Sequence, residues 1–191
     1  MHDRFAPYTA YAPRALFLDE DGTAYLAFPD IGVIKYGIDG DKTTFLARND
    51  NTPTAICAYK EQYILLGTLD KGLFLINKET GESKKLQIDE SRNSDIYVRH
   101  IEKISKDEYW VGAESGIYVL KDGAVQHITY EAYNDLSISD NAIYALFKDR
   151  EGGIWVGSYF GGVDYIPKQY SYFENFYPIA YKNSISGYRV R

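Results

Sequence analysis

Several things are scarce in this sequence, and each scarcity removes a class of protein. The 191 residues hold one cysteine, Cys57, so no intramolecular disulfide can form. That thiol lies in the apolar run Ile56-Cys57-Ala58, where cysteine reads as a small buried hydrophobe and not as a nucleophile. Three dispersed histidines (His2, His100 and His127) and one cysteine make no metal-ligand spacing, so no metal and no cofactor is expected. The densest basic cluster is Lys84-Lys85 and the formal net charge is −6, which argues against nucleic-acid binding. No apolar stretch approaches the roughly 18 residues of a membrane span, so no membrane contact is expected from this segment. Met1 to Pro7 lacks the apolar core of a signal peptide, which leaves a cytosolic chain or a targeting segment further upstream.

Catalytic motifs are equally scarce. No Gly-rich loop runs into Lys-Ser or Lys-Thr, and no Gly-x-Ser-x-Gly elbow occurs. Asp19, Asp21 and Gly22 begin like a calcium loop, but the closing bidentate glutamate is missing, so a turn is expected. The acid pairs Asp19/Asp21 and Asp89/Glu90 read as solvated turns and not as a glycosidase pair. Helical periodicity is absent throughout.

What is present is a globular composition with a heavy aromatic load. Hydrophobic residues make up 45% and charged residues 25%, which argues against disorder. Of the 16% aromatic residues most are tyrosine, 19 in all, a strand former that joins an apolar ring to a wet hydroxyl.

The main information is internal repetition. Gly67, Gly112 and Gly157 are spaced 45 residues apart, as are Trp110 and Trp155, and Ala27 occupies the same place 40 residues before Gly67. A second glycine (Gly32, Gly72, Gly116 and Gly162) follows each landmark after four or five residues. Each unit begins with a short apolar strand and a polar or Gly-containing turn, such as Asp19-Glu20-Asp21-Gly22 or Asp149-Arg150-Glu151-Gly152-Gly153. A second strand ends in Gly or Ala, a glycine-closed turn leads to a third, and a more polar fourth follows at Thr43-Leu46, Ser83-Ile88, Ala124-Thr129 and Tyr172-Tyr177. Four strands in about 45 residues predict an all-β fold of β-propeller blades, each a four-stranded antiparallel sheet. The small residue closing strand two is expected to let neighbouring blades approach closely. Trp110 and Trp155 are expected between blades, as core. The units run from a lead-in over 1–12 through blades at 13–50, 51–92, 93–136 and 137–182. Residues 183–191 echo Asn134-Tyr144 and open a fifth unit. The chain is therefore expected to be part of a longer ring, and its open blade edges to promote association.

The fourth unit resembles a known repeat. Asn141 through Ser158, followed by Gly161-Gly162-Val163 and later Phe173-Glu174-Asn175-Phe176, is similar to the two-component regulator propeller repeat. Unit three, with Val98-Arg99-His100-Ile101 and Trp110-Val111-Gly112, is similar as well; units one and two are more degenerate, with Leu26-Ala27 and Leu65 in the Trp-x-Gly positions. The resemblance implies a partial ring from a seven-bladed propeller in the periplasmic sensor region of a hybrid two-component histidine kinase. It implies that polysaccharide-derived oligosaccharides are the ligands, that the intact protein forms a homodimer, and that this segment is not itself an enzyme. The kinase domains are not in this sequence. A pure protein-interaction scaffold and a fragment of a propeller lyase or hydrolase are the alternatives.

Aligning the units places Arg14, Thr54, Arg99, Tyr144 and Arg191 in one column at the start of each first strand, expected at the mouth of a central channel. Three arginines in that column suit a uronic or sulfated sugar; the competing reading pairs them with loop acids or neighbouring blades. Tyr159 and Phe160, in the loop joining strands two and three, suit stacking on a sugar or a partner protein, or packing between blades.

Overall fold

The computed structural model describes residues 12–29, 31–37, 43–47, 52–89, 96–134 and 136–168. Those residues form strands, turns and loops, with no helix among them. Consecutive strands pair antiparallel with their chain neighbours to give four separate sheets. Blade 1 is β1 (Ala15–Leu18), β2 (Ala24–Phe28), β3 (Gly32–Tyr36) and β4 (Thr43–Ala47). Blade 2 is β5 (Pro53–Tyr59), β6 (Tyr63–Thr68), β7 (Leu73–Asn77) and β8 (Ser83–Leu86). Blade 3 is β9 (Val98–Lys103), β10 (Glu108–Ala113), β11 (Gly116–Lys121) and β12 (Ala124–Ile128). Blade 4 contributes β13 (Ile143–Lys148), β14 (Ile154–Ser158) and β15 (Val163–Ile166). The expected strand at Tyr172-Tyr177, the lead-in up to residue 11 and the fifth unit at 183–191 lie outside the described residues.

The first strands stand side by side, β1 against β5, β5 against β9 and β9 against β13, which makes them the inner strands of an arc of blades. Each blade buries its faces against its neighbours, so the core lies between sheets. Tyr25, Ala27 and Val33 meet Ile64, Leu66 and Ile76 between blades 1 and 2. Cys57, Leu65 and Leu73 meet Val98, Tyr109, Val111 and Tyr118 between blades 2 and 3. Trp110, Ile117 and Val119 meet Ile143, Leu146, Ile154 and Val156 between blades 3 and 4. A middle strand sandwiched on both faces reads as a continuous apolar run, as Tyr109-Trp110-Val111-Gly112-Ala113 does.

The repeated small residue is explained by the inter-blade distance. A Cβ on Gly112 would stand 2.8 Å from Cγ2 of Ile143 in the next inner strand, and one on Gly67 would meet Val98 in the same way. The second glycines have a different cause. Gly32, Gly72, Gly116 and Gly162 have φ of 113°, 80°, 118° and 81°, a backbone region that strains any residue with a Cβ.

Trp110 is buried as expected, but Trp155 is 44% exposed, which corrects the reading of both tryptophans as core. Side chains alternate across β14: Ile154 and Val156 face blade 3 and are buried, while Trp155 points to the opposite face. No further blade among the described residues packs there. Trp155 instead tilts against Tyr165 at 4.7 Å between ring centroids and donates from Nε1 to Asp149 at 3.2 Å.

The Asp19–Thr23 segment is a turn, as expected. Gly22 N–H donates to Asp19 O and Asp19 N–H to Thr23 O, Asp21 accepts from the Thr23 amide, and Asp19 pairs across the blade boundary with Lys78. Among the described residues no helix is long and apolar enough to cross a membrane.

Candidate ligand-binding shelf

The column picked out by alignment has a backbone cause that the sequence did not reveal. In β5 the register against β6 passes from Pro53–Thr68 to Ala55–Gly67 and leaves Thr54 unpaired. In β9 it passes from His100–Gly112 to Val98–Ala113 and leaves Arg99 unpaired. In β13 it passes from Ile143–Ser158 to Ala145–Gly157 and leaves Tyr144 unpaired. Each is the extra residue of a β-bulge, a device that re-aims one side chain relative to the regular alternation. Arg14 stands just before β1, exposed, with its N–H donating to Ala27 O at 2.9 Å.

A second recurring bond brings the loop between strands two and three to the same end of each blade. Leu69 N–H donates to Thr52 O at 2.9 Å, Glu114 N–H to Tyr97 O at 3.2 Å, and Tyr159 N–H to Ala142 O at 2.9 Å. Loop side chains and bulge side chains therefore share one face.

Blades 3 and 4 build a continuous group there. The Arg99 guanidinium lies between two rings, its Cζ 4.1 Å from the Tyr97 centroid and 3.9 Å from that of Tyr144 in the next blade. Its edge is taken by Glu114, which accepts from Nε at 2.8 Å and also from Nη2. Tyr144 tilts against Tyr159 at 5.3 Å, and Tyr159 meets Phe160 edge-on at 4.4 Å. Exposure rises along this series, from 42% for Tyr144 through 60% for Tyr159 to 85% for Phe160. Tyr159 and Phe160 are thus presented outward. Of the expected site residues, Arg99, Tyr144, Tyr159 and Phe160 come together, Arg14 stands in blade 1, two blades from Arg99, and Arg191 lies outside the described residues. Thr54 ties blades instead, donating from Oγ1 to Val98 O at 2.5 Å.

Besides Glu114, a loop acid of the kind the competing reading anticipated, three residues that sequence reasoning passed over shape the shelf: Tyr97, Asp140 and Asp164. Asp140 accepts the Phe160 N–H at Oδ2 (2.9 Å) and the Ala142 N–H at Oδ1 (3.3 Å), so it fastens the loop to the entry of β13. The Phe160 amide is the main reason its carboxyl titrates below the ordinary aspartate value, with the Ala142 amide adding to it. Asp164 of β15 accepts from Ser139 N at 2.9 Å and Ser139 Oγ at 2.5 Å. Gly161 allows the close approach, since a Cβ there would stand 2.7 Å from that of Ser139. The sequence-level signal was the run Ser139-Asp140-Asn141, short polar residues that bond nearby backbone.

Among the described residues no group of three or more His, Cys, Asp or Glu side chains gathers. Burial pushes the Cys57 thiol up to about 11, so it is an inert core residue.

The arc of radially packed antiparallel sheets, three of four strands and one of three among the described residues, defines a β-propeller. Residues 137–160 match the family described as Two component regulator propeller, and the match runs from the connector before β13 through Phe160. The fold of this chain is similar to that of the extracellular domain assigned to the hybrid two component system BT3049 from B. thetaiotaomicron, with a TM-score of 0.63 and 20% identity. That similarity covers 81% of this chain and 21% of that one, so the chain spans about a fifth of that extracellular domain's length. The computationally designed Ika4 protein is similar with a TM-score of 0.57 and 18% identity, over 81% of this chain and 89% of that one. A structure of YCF48 bound to D1 peptide is similar with a TM-score of 0.63 and 10% identity, over 83% of this chain and 51% of that one. No curated protein matches.

Proposed function

We propose that this chain is a segment of the extracytoplasmic, periplasmic sensor region of a hybrid two-component histidine kinase, and that it binds polysaccharide-derived oligosaccharides without chemical turnover. The observation that carries this reading is the coincidence of the matched repeat with the shelf: residues 137–160 contain Tyr144, Tyr159 and Phe160. Exposed rings on a rigid sheet end suit stacking on the apolar faces of sugar rings, and they lose little entropy on binding. A blade is stiff, so the signal arises from differential affinity for two arrangements of whole domains or of a dimer. The homodimer of the intact sensor belongs to this proposal.

A cell-based measurement tests it. Cells carrying the intact gene are grown on a panel of polysaccharides, and transcription of the responding genes is read with wild type and with Tyr159→Ala plus Phe160→Ala. The expected result is a response to one glycan that the double variant loses while its abundance stays normal. Absence of any glycan response in wild type would sink the sensor reading.

One observation favours the scaffold alternative: a ring as exposed as Phe160 also suits a protein partner, and YCF48 shows that the fold can hold a peptide. Retention of the glycan response together with loss of an interacting protein in the double variant would favour it.

A further inference from the structure

The shelf bears out the competing reading of its arginine column at Arg99, which pairs with a loop acid. An anion-binding arginine needs its fork of N–H donors free. Arg99 is instead engaged on one edge and against rings: its Cζ lies against Tyr97 and Tyr144, and Glu114 takes Nε and Nη2. Its side chain is only 19% exposed. The charges on the connector and loop of blade 4, Asp140 and Asp164, have the opposite sign. Asp140 accepts the Phe160 amide and Asp164 accepts the amide and hydroxyl of Ser139, so two further carboxylates stand on the ring-bearing blade with their oxygens engaged. An incoming carboxylate or sulfate at the blade 4 rings would meet acids there and an arginine already paired with Glu114.

We infer that the shelf selects neutral saccharides and rejects uronic or sulfated ones, with Tyr144, Tyr159 and Phe160 as the stacking surface and the Arg99–Glu114 pair as the discriminator. This rests on the sensor reading above and deepens it. Rings offer pyranose C–H faces a contact that needs no ligand charge. Glu114 then has two roles. It neutralises Arg99, and it fixes the guanidinium flat against Tyr144, which holds that ring in line with Tyr159. Tyr97, Arg99 and Glu114 are accordingly specificity and positioning residues, while the open rings are the contact residues.

Calorimetry on the 191-residue chain decides this. The probes are neutral malto-, cello-, manno- and xylo-oligosaccharides on one side, and oligogalacturonide and heparin-derived oligosaccharides on the other. The inference expects binding of a neutral probe that is insensitive to salt and weakened about tenfold by Phe160→Ala or Tyr159→Ala, substitutions at exposed rings that leave the melting temperature unchanged. It also expects Glu114→Gln to release Arg99 and to create salt-sensitive binding of oligogalacturonide. Binding of the acidic probes by wild type, abolished by Arg99→Ala, overturns the neutral preference and leaves the sensor reading standing. A Glu114→Gln variant that still ignores oligogalacturonide overturns the assignment of the discriminator. Failure of every saccharide of both groups overturns this inference together with carbohydrate binding itself.

Discussion

What a side chain offers depends on which of its groups are already engaged. Arg99 and Asp140 are both charged, both near the exposed rings, and both committed to protein partners. For Asp140 the commitment has a pH signature. Its folded carboxyl titrates below the ordinary value, chiefly because the ionised form accepts the Phe160 amide. A lowered folded value means that the ionised carboxylate stabilises the folded loop at neutral pH. That contribution shrinks as pH falls below the ordinary aspartate value of about 4 and is gone once pH has passed through the lowered one. Hydrogen exchange at the Phe160 amide should therefore be slow at neutral pH and lose its protection on acidification. In Asp140→Ala it should be fast at every pH, and an amide whose protection ignores both changes would show that Asp140 does not hold the loop.

At the scale of the element, each inner strand has to do two things at its entry: turn one side chain out of register and sit tightly against the next blade. The bulges at Thr54, Arg99 and Tyr144 do the first. Gly67 and Gly112 allow the second. Gly112→Ala would force a methyl group onto Ile143, which is buried between blades with little room to move, and should cost about 1–3 kcal/mol as overpacking does. Gly157→Ala is the matched control. Its Cβ would meet Ala145 Cβ at 3.7 Å, an ordinary contact, and nothing closer. Thermal melts should show a drop of several degrees for the first variant and little change for the second; equal effects would mean that glycine serves strand backbone and not blade spacing.

At the scale of the whole molecule, the outer face of blade 4 carries a group of exposed apolar side chains among the described residues. Phe147, Trp155, Val163 and Tyr165 are all exposed there, on strands whose opposite face is packed against blade 3. Contiguous apolar surface of this kind promotes association. The chain should show a sedimentation-average mass that rises with concentration, and Phe147→Ser with Trp155→Ser should return it to monomer with the fold intact. A wild type that stays monomeric at high concentration would remove this surface as the cause of any association.

The repeat, the four-blade count and the small residue between blades were readable from the sequence because a blade imposes its own local grammar of turns and alternation at a fixed spacing. Alignment also found the column of Arg99 and Tyr144 and the loop of Tyr159 and Phe160, since equivalent positions recur in each unit. What alignment could not show is whether a charge is free. Glu114, 15 residues from Arg99, reaches it through the pairing of β9 with β10 in the same blade, but Tyr144 lies 45 residues away and only the packing of two blades brings it onto the guanidinium. Trp155 makes the same point: the repeat places it where Trp110 is buried, but its exposure depends on what stands beside the blade. Local pattern determines blades because their bonds are short-range; the character of the face and the fate of each tryptophan are set by neighbours that spacing along the chain does not specify.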